Sequence, residues 1–189
     1  MSSRQGVILY GPPAAGKDTV TQALTALDSQ YGQFARLKVG SGKSAGYRMG
    51  TEAQLRELET AGDVVYANRR YGNTYVIDRP GVDAAFAAGV PVVHLGQIDG
   101  IHALVDGYPA DWVVVLLWCP QEVTAARSEG RGDSDTAARL AAWTATREDL
   151  DAHPETAWDL TVDTAAMSPG ESARLIDQLL VQRAGAGAA

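Results

Sequence analysis

The sequence predicts an α/β protein: one doubly wound, mostly parallel sheet with helices on both faces. Three observations carry this. Short β-branched or apolar runs alternate with longer Ala-rich segments, the order strand, crossover helix, strand. The run "WVVVLLW", residues 112–118, is apolar throughout, as suits a central strand covered on both sides. The first apolar run, "GVILY", leads into a glycine-flanked loop and then an amphipathic segment.

Taken in order, strands are expected at Gly6 to Tyr10, Phe34 to Val39, Pro91 to Leu95, Trp112 to Trp118 and Asp159 to Val162. Helices are expected at Lys17 to Leu27, Thr51 to Ala61, Pro80 to Ala88, Pro120 to Ser128, Asp135 to Ala152 and Pro169 to Arg183. The last has the clearest start, with Ser168 as N-cap, Pro169 at the first helical position and Glu171 three residues after the cap. Two stretches break the alternation: "GSGKSAGYRMG", residues 40–50, and "RRYGNTYV", residues 69–76, each suited to a small acceptor-binding flap. The charged stretch "RSEGRGDSD", residues 127–135, reads as a mobile lid between helices.

With 189 residues and 46% hydrophobic content, the chain is expected to form a single domain, residues 1–189, built on one good core. Its 23 acidic residues outnumber 16 basic ones, for a formal charge of -7, which argues against a general nucleic-acid or anionic-membrane binder. The longest apolar run, Trp112 to Cys119, is far shorter than the roughly 20 residues a bilayer span needs. A cytoplasmic protein, monomer or homodimer, with a small-molecule partner is expected. The single cysteine, Cys119, reads as a small core residue.

The loop "GPPAAGKDT", residues 11–19, fits the phosphate-binding pattern G-x-x-x-x-G-K, but Asp18 stands where Ser or Thr normally follows the lysine. Between a buried strand and a helix start, such a loop points successive N–H groups into one concavity where the helix dipole favours phosphate. Lys17 can reach the β- and γ-phosphates. Asp18 either holds a water of a bound Mg²⁺ or simply complements the dipole of the first helical turn. Thr19 would contact a phosphate.

These loop residues, together with Tyr47, "GNTY" at residues 72–75 and "RGDSD" followed by "RL", resemble the guanylate kinase family of P-loop nucleoside monophosphate kinases, loosely, over roughly residues 6–163. The resemblance implies a P-loop kinase fold with an acceptor-binding subdomain at about 38–78 and a short lid at about 127–139. It implies ATP and Mg²⁺ as cofactors, with Gly11, Pro12, Pro13, Ala14, Ala15, Gly16, Lys17, Asp18, Thr19 and Arg127 around ATP. Asp18 and Thr19 would lie on the metal side. Lys17, Arg131 and Arg139 would stabilise the transferring phosphoryl group, whose loose transition state asks mainly for positioned cations.

On the acceptor side the resemblance implies contacts by Tyr47 and Tyr75, with Asp99 matching the family's acidic segment. The family's phosphate-binding arginines have no close counterpart; Lys38, Ser41, Lys43 and Arg48 stand in that region. Asn68 or Arg69 falls where the family reads guanine with a glutamate. A cation there leaves the base's N–H donors unread, at roughly 1–3 kcal/mol per buried group. Ribose bisphosphate phosphokinases, a branch of the same superfamily, resemble the chain in "GKD" and in Ala67–Asn68. The reading is therefore phosphoryl transfer to the phosphate of a nucleoside monophosphate or nucleotide-like acceptor. A phosphosugar kinase and a non-catalytic guanylate-kinase-like binding module are the alternatives.

Asp78 and Arg79 mark either a ligand site at a strand end or a helix-start turn. His94 and His102 have no metal-ligating partner at useful spacing and read as core or rim histidines.

Overall fold

A computed structural model describes residues 4–42, 44–70, 72–130 and 136–186. In chain order the elements begin with β1 (Gln5–Tyr10), α1 (Lys17–Leu27), β2 (Tyr31–Gln33), β3 (Arg36–Val39) and β4 (Tyr47–Gly50). They continue with α2 (Glu52–Ala61), β5 (Val64–Arg70), β6 (Asn73–Asp78), α3 (Arg79–Ala88), β7 (Val90–Leu95) and α4 (Ile98–Gly107). The chain closes with β8 (Asp111–Trp118), α5 (Gln121–Gly130), α6 (Thr136–Ala152), β9 (Leu160–Asp163) and α7 (Pro169–Ala186).

Five strands form a parallel sheet in the order β2-β7-β1-β8-β9, and β4-β3-β6-β5 form a second, mixed sheet. Because strand side chains alternate faces, β1 and β8 feed two cores at once. Val7, Leu9, Val113, Val115 and Leu117 pack with Val20 and Leu24 of α1 and Ile176 and Leu180 of α7. Ile8, Tyr10, Val114 and Leu116 pack on the other face with Val82 of α3 and Ile98, Ile101 and Leu104 of α4. The second sheet buries Leu37, Val39 and Val76 against Leu55 of α2, whose start is fixed by a capping box between Thr51 and Gln54.

The doubly wound parallel sheet is thus present, with differences in detail. Residues 34–39 do not make one strand. Phe34 still donates its N–H to Val92 O at 2.9 Å in the main sheet, and the chain then leaves to start the second sheet at Arg36. The two stretches outside the alternation supply β4 and most of β6. Strand β5 and helix α4 were not anticipated; α4 carries Gly100, where a Cβ would stand 2.9 Å from the Tyr66 ring of β5. Among the described residues no helix is long and apolar enough to cross a membrane.

Candidate active site

The loop after β1 is shaped by close contact and by carbonyl capping. A Cβ on Gly11 would lie 2.1 Å from Leu117 O, so only glycine lets the loop cross the end of β8. Ala14 adopts φ 60, a left-handed conformation that costs a non-glycine residue roughly 1–2 kcal/mol. Four successive carbonyls take side-chain donors. Lys17 Nζ donates to Gly11 O at 2.6 Å and Pro12 O at 3.0 Å, Thr124 Oγ1 to Pro13 O at 3.3 Å, and Arg127 Nη1 to Ala14 O at 2.9 Å. With these carbonyls held and Ala15 N–H turned back to Pro12 O at 3.3 Å, the N–H groups from Gly16 onward begin the helix and can line an anion cradle.

A cavity of about 550 Å³ opens over this loop, and Arg127, Arg139, Thr164 and Met167 complete its wall. Arg139, on α6, therefore joins the loop. Arg127 joins it as well, and is anchored on a second side. Its guanidinium also donates to Thr164 Oγ1 at 3.2 Å and Thr164 O at 2.6 Å, tying α5 to the loop and to the β9–α7 connection. Thr19 Oγ1 donates to Gly16 O at 2.8 Å, and Asp18 lies exposed on the first turn of α1. Arg131 and Lys43 lie outside the described residues.

A second cavity, about 390 Å³, lies on the other side of Lys17 and is walled by Arg36, Arg70, His94 and Asp149 among others. Arg36, Arg70, Gly96 and Gln97 also border a third space of about 190 Å³ that reaches Tyr47, Asn68 and Tyr75. Strand register explains the grouping. Asn68 pairs with Tyr75 and Tyr75 with Lys38, so the three stand in one row across β5, β6 and β3. Arg36 pairs with Tyr47. The Tyr47 and Tyr75 rings lie 5.3 Å apart, and Lys38 Nζ sits 5.6 and 5.9 Å from their centres. Arg36 Cζ lies 5.3 Å from the Tyr75 ring centre.

Three residues expected on the acceptor do not join this group. Arg48 follows Tyr47 on the strand and so faces away; it donates to Asp78 and, at 2.9 Å, to Ala35 O. Asp78 is consequently a buried helix cap, accepting from Gly81 N at 2.8 Å, and Arg79 donates to Gly107 O at 3.1 Å. Asp99 points at His153 Nε2 across 3.7 Å. Ser41 is exposed, its N–H spent on Asn73 Oδ1 at 2.7 Å.

Sequence reasoning missed Arg36, Arg70, His94 and Asp149. Alternation holds the signal for the first two, since Arg36 stands two residues from Lys38 and Arg70 two from Asn68. Asp149 on α6 accepts from Tyr10 Oη at 2.7 Å and Ile98 N at 2.9 Å, fixing α6 over the sheet; burial, and then the bond to Asp149, push the Tyr10 phenol far above its ordinary value. Burial lowers Lys17 to about 8, opposed by neighbouring Asp18. Burial, and then the Lys17 charge, hold His94 well below its ordinary value.

A family model described as chloramphenicol phosphotransferase-like protein matches residues 5–181. Among solved structures, guanylate kinase from Anaplasma phagocytophilum aligns with a TM-score of 0.62 at 15% identity, over 97% of this chain and 87% of that one. The protein APE1195 aligns with a TM-score of 0.54 at 14% identity, over 97% and 98%. None of the curated proteins matches the sequence. At such identity the guanylate kinase likeness is one of fold. With the loop, its lysine and the parallel sheet in place, the chain belongs to the chloramphenicol phosphotransferase-like family of P-loop kinases.

Proposed function

We propose that the chain transfers the γ-phosphoryl group of ATP to an acceptor that already carries a phosphate, a nucleoside monophosphate or nucleotide-like molecule. One observation carries this: Lys17 lies on the wall of both the loop cavity and the cavity walled by Arg36 and Arg70. The loop favours the phosphates of a donor, while two guanidiniums near Lys38 favour a second anion on the far side. Lys17 between them meets the charge of the group in transit. Arg139 approaches from α6 on the donor side, and Arg131 is assigned there by its resemblance alone.

P-loop kinases generally use Mg-ATP, and the carboxylate of Asp18 beside the loop supplies the oxygen donor that Mg²⁺ requires. The cation, when bound, neutralises charge on the β- and γ-phosphates. Transfer to a phosphate oxygen needs no base, because that oxygen is already ionised. The Tyr47–Tyr75 pair and Asn68 would hold the remainder of the acceptor. Among the described residues no carboxylate borders the space at Asn68, so the arrangement suits a base other than guanine, or a sugar.

A second reading has one observation in its favour. Asp149 puts a carboxylate on the wall of the acceptor cavity, which suits proton removal from a hydroxyl, and the family is named for a phosphotransferase acting on chloramphenicol. Coupled ADP release from Mg-ATP separates the readings. The panel is GMP, AMP, CMP, UMP, ribose 1,5-bisphosphate, other phosphosugars and chloramphenicol. Turnover with a phosphorylated acceptor, abolished in a folded Lys17→Ala variant and with KM raised about tenfold in Arg36→Ala and Arg70→Ala, is expected. Turnover with chloramphenicol that ignores both arginines overturns the first reading. Near-native turnover in Lys17→Ala overturns both.

A further inference from the structure

In P-loop NTPases a hydroxyl directly after the loop lysine and a carboxylate on a neighbouring strand hold the divalent cation. Here the residue after Lys17 is Asp18, and the side chain facing it from the end of β7, the strand beside β1, is His94. Their Nδ1 and Oδ1 atoms lie 3.5 Å apart. The carboxylate is on the loop, and an imidazole is on the strand.

The hydrogen bonds around His94 fix which nitrogen is open. Nε2 lies 2.7 Å from Thr21 Oγ1. Thr21 has one hydroxyl proton, and it goes to Lys17 O at 2.9 Å. Thr21 therefore accepts from Nε2–H, and Nδ1 keeps its lone pair facing the Asp18 carboxylate. Two acceptors confront each other. An imidazole with one nitrogen bound to a hydrogen-bonded partner and the other directed at a carboxylate has the outer-shell support typical of a metal-ligating histidine. The spacing suits neighbouring ligands of one ion, which at about 2.1 Å from an octahedral centre stand about 3 Å apart. Lys17 borders both cavities, so the pair lies where a nucleotide's terminal phosphates would come.

We propose that Asp18 and His94 form the protein half of a divalent-cation site whose residue types are exchanged between loop and strand, and that the imidazole makes it select first-row ions such as Mn²⁺ over Mg²⁺. Mg²⁺ asks for oxygen alone, whereas first-row ions accept nitrogen. The inference rests on the loop being a nucleotide site.

The test is pulsed EPR of Mn²⁺ bound with a non-hydrolysable ATP analogue, using protein labelled at histidine with ¹⁵N. A directly bound imidazole coupling is expected in the native chain and in the control His102→Gln, and none in His94→Gln. By Mg²⁺ competition, His94→Gln should narrow the Mn²⁺ preference about tenfold, while Asp18→Asn weakens both ions yet keeps the imidazole coupling. Mn²⁺ bound with the analogue but without an imidazole coupling in the native chain overturns this inference alone. Failure to bind the analogue at all overturns the nucleotide-site reading and this inference with it.

Discussion

Lys17 carries two duties that pull against each other. It caps the carbonyls of Gly11 and Pro12, and under the proposed function it must stay charged to meet phosphate, although burial lowers it to about 8 from 10.5. In the free protein the charge is therefore lost as pH rises through about 8, and ATP affinity should weaken across that range. Calorimetric titration checks this, with Lys17→Arg expected to hold its affinity flat to higher pH. The stability sign is opposite. Between about 8 and 10.5 the unfolded chain binds a proton that the folded chain has shed, so this group adds stability as pH rises there.

Helix α5 works as a brace on the loop, since Thr124 and Arg127 hold the carbonyls of Pro13 and Ala14. If Arg127 acts by bridging Ala14 to Thr164, a lysine cannot reproduce its fork. Arg127→Lys and Arg127→Met should then weaken binding alike, about tenfold, and equally for ADP and ATP. A loss confined to ATP in calorimetry would instead mark a contact with the γ-phosphate. On the reverse face of the second sheet, Arg48→Met should lower stability by about 1–2 kcal/mol in urea unfolding, because Asp78 stays buried without its cation. Acceptor KM should stay unchanged.

The same elements show what a sequence reveals. The core strands β1 and β8 and the loop between β1 and α1 were legible, because their signals are local: an apolar run, two glycines, one lysine. The second sheet was not. It is buried mainly on the α2 side and its other face carries Arg36, Lys38, Tyr47 and Tyr75; Tyr47 and Tyr75 fall in stretches that read as flap, and Arg36 and Lys38 in a stretch that reads as a strand of the main sheet. Arg48 was misplaced for the same reason, since only the strand alternation tells it from Tyr47. His94 and Asp18 are far apart in the chain and meet only because β7 lies beside β1, so no spacing rule could find them.

At the scale of the molecule, a chain of formal charge -7 places Arg36 and Arg70 around one opening, with Lys38 buried behind the two tyrosines that border it. A local positive field on an acidic body draws anions to that opening and discourages general binding of polyanions elsewhere. The kcat/KM for a phosphorylated acceptor should accordingly fall as salt is raised from low ionic strength, with little change in kcat. Steady-state kinetics across a salt series checks it, and a flat profile would remove the long-range contribution.

Trp143 donates its indole N–H to Cys119 O at 2.9 Å and packs at a tilt on Trp118, ring centres 5.0 Å apart, one turn along α6 from Arg139. This gives the molecule a built-in optical gauge. An indole pair joined to the end of β8 on one side and to the helix of a cavity arginine on the other should change its emission if nucleotide draws that arginine inward. Comparing native chain with Trp143→Phe isolates the signal, so any response of α6 to nucleotide can be timed in a stopped-flow mixer without attaching any dye.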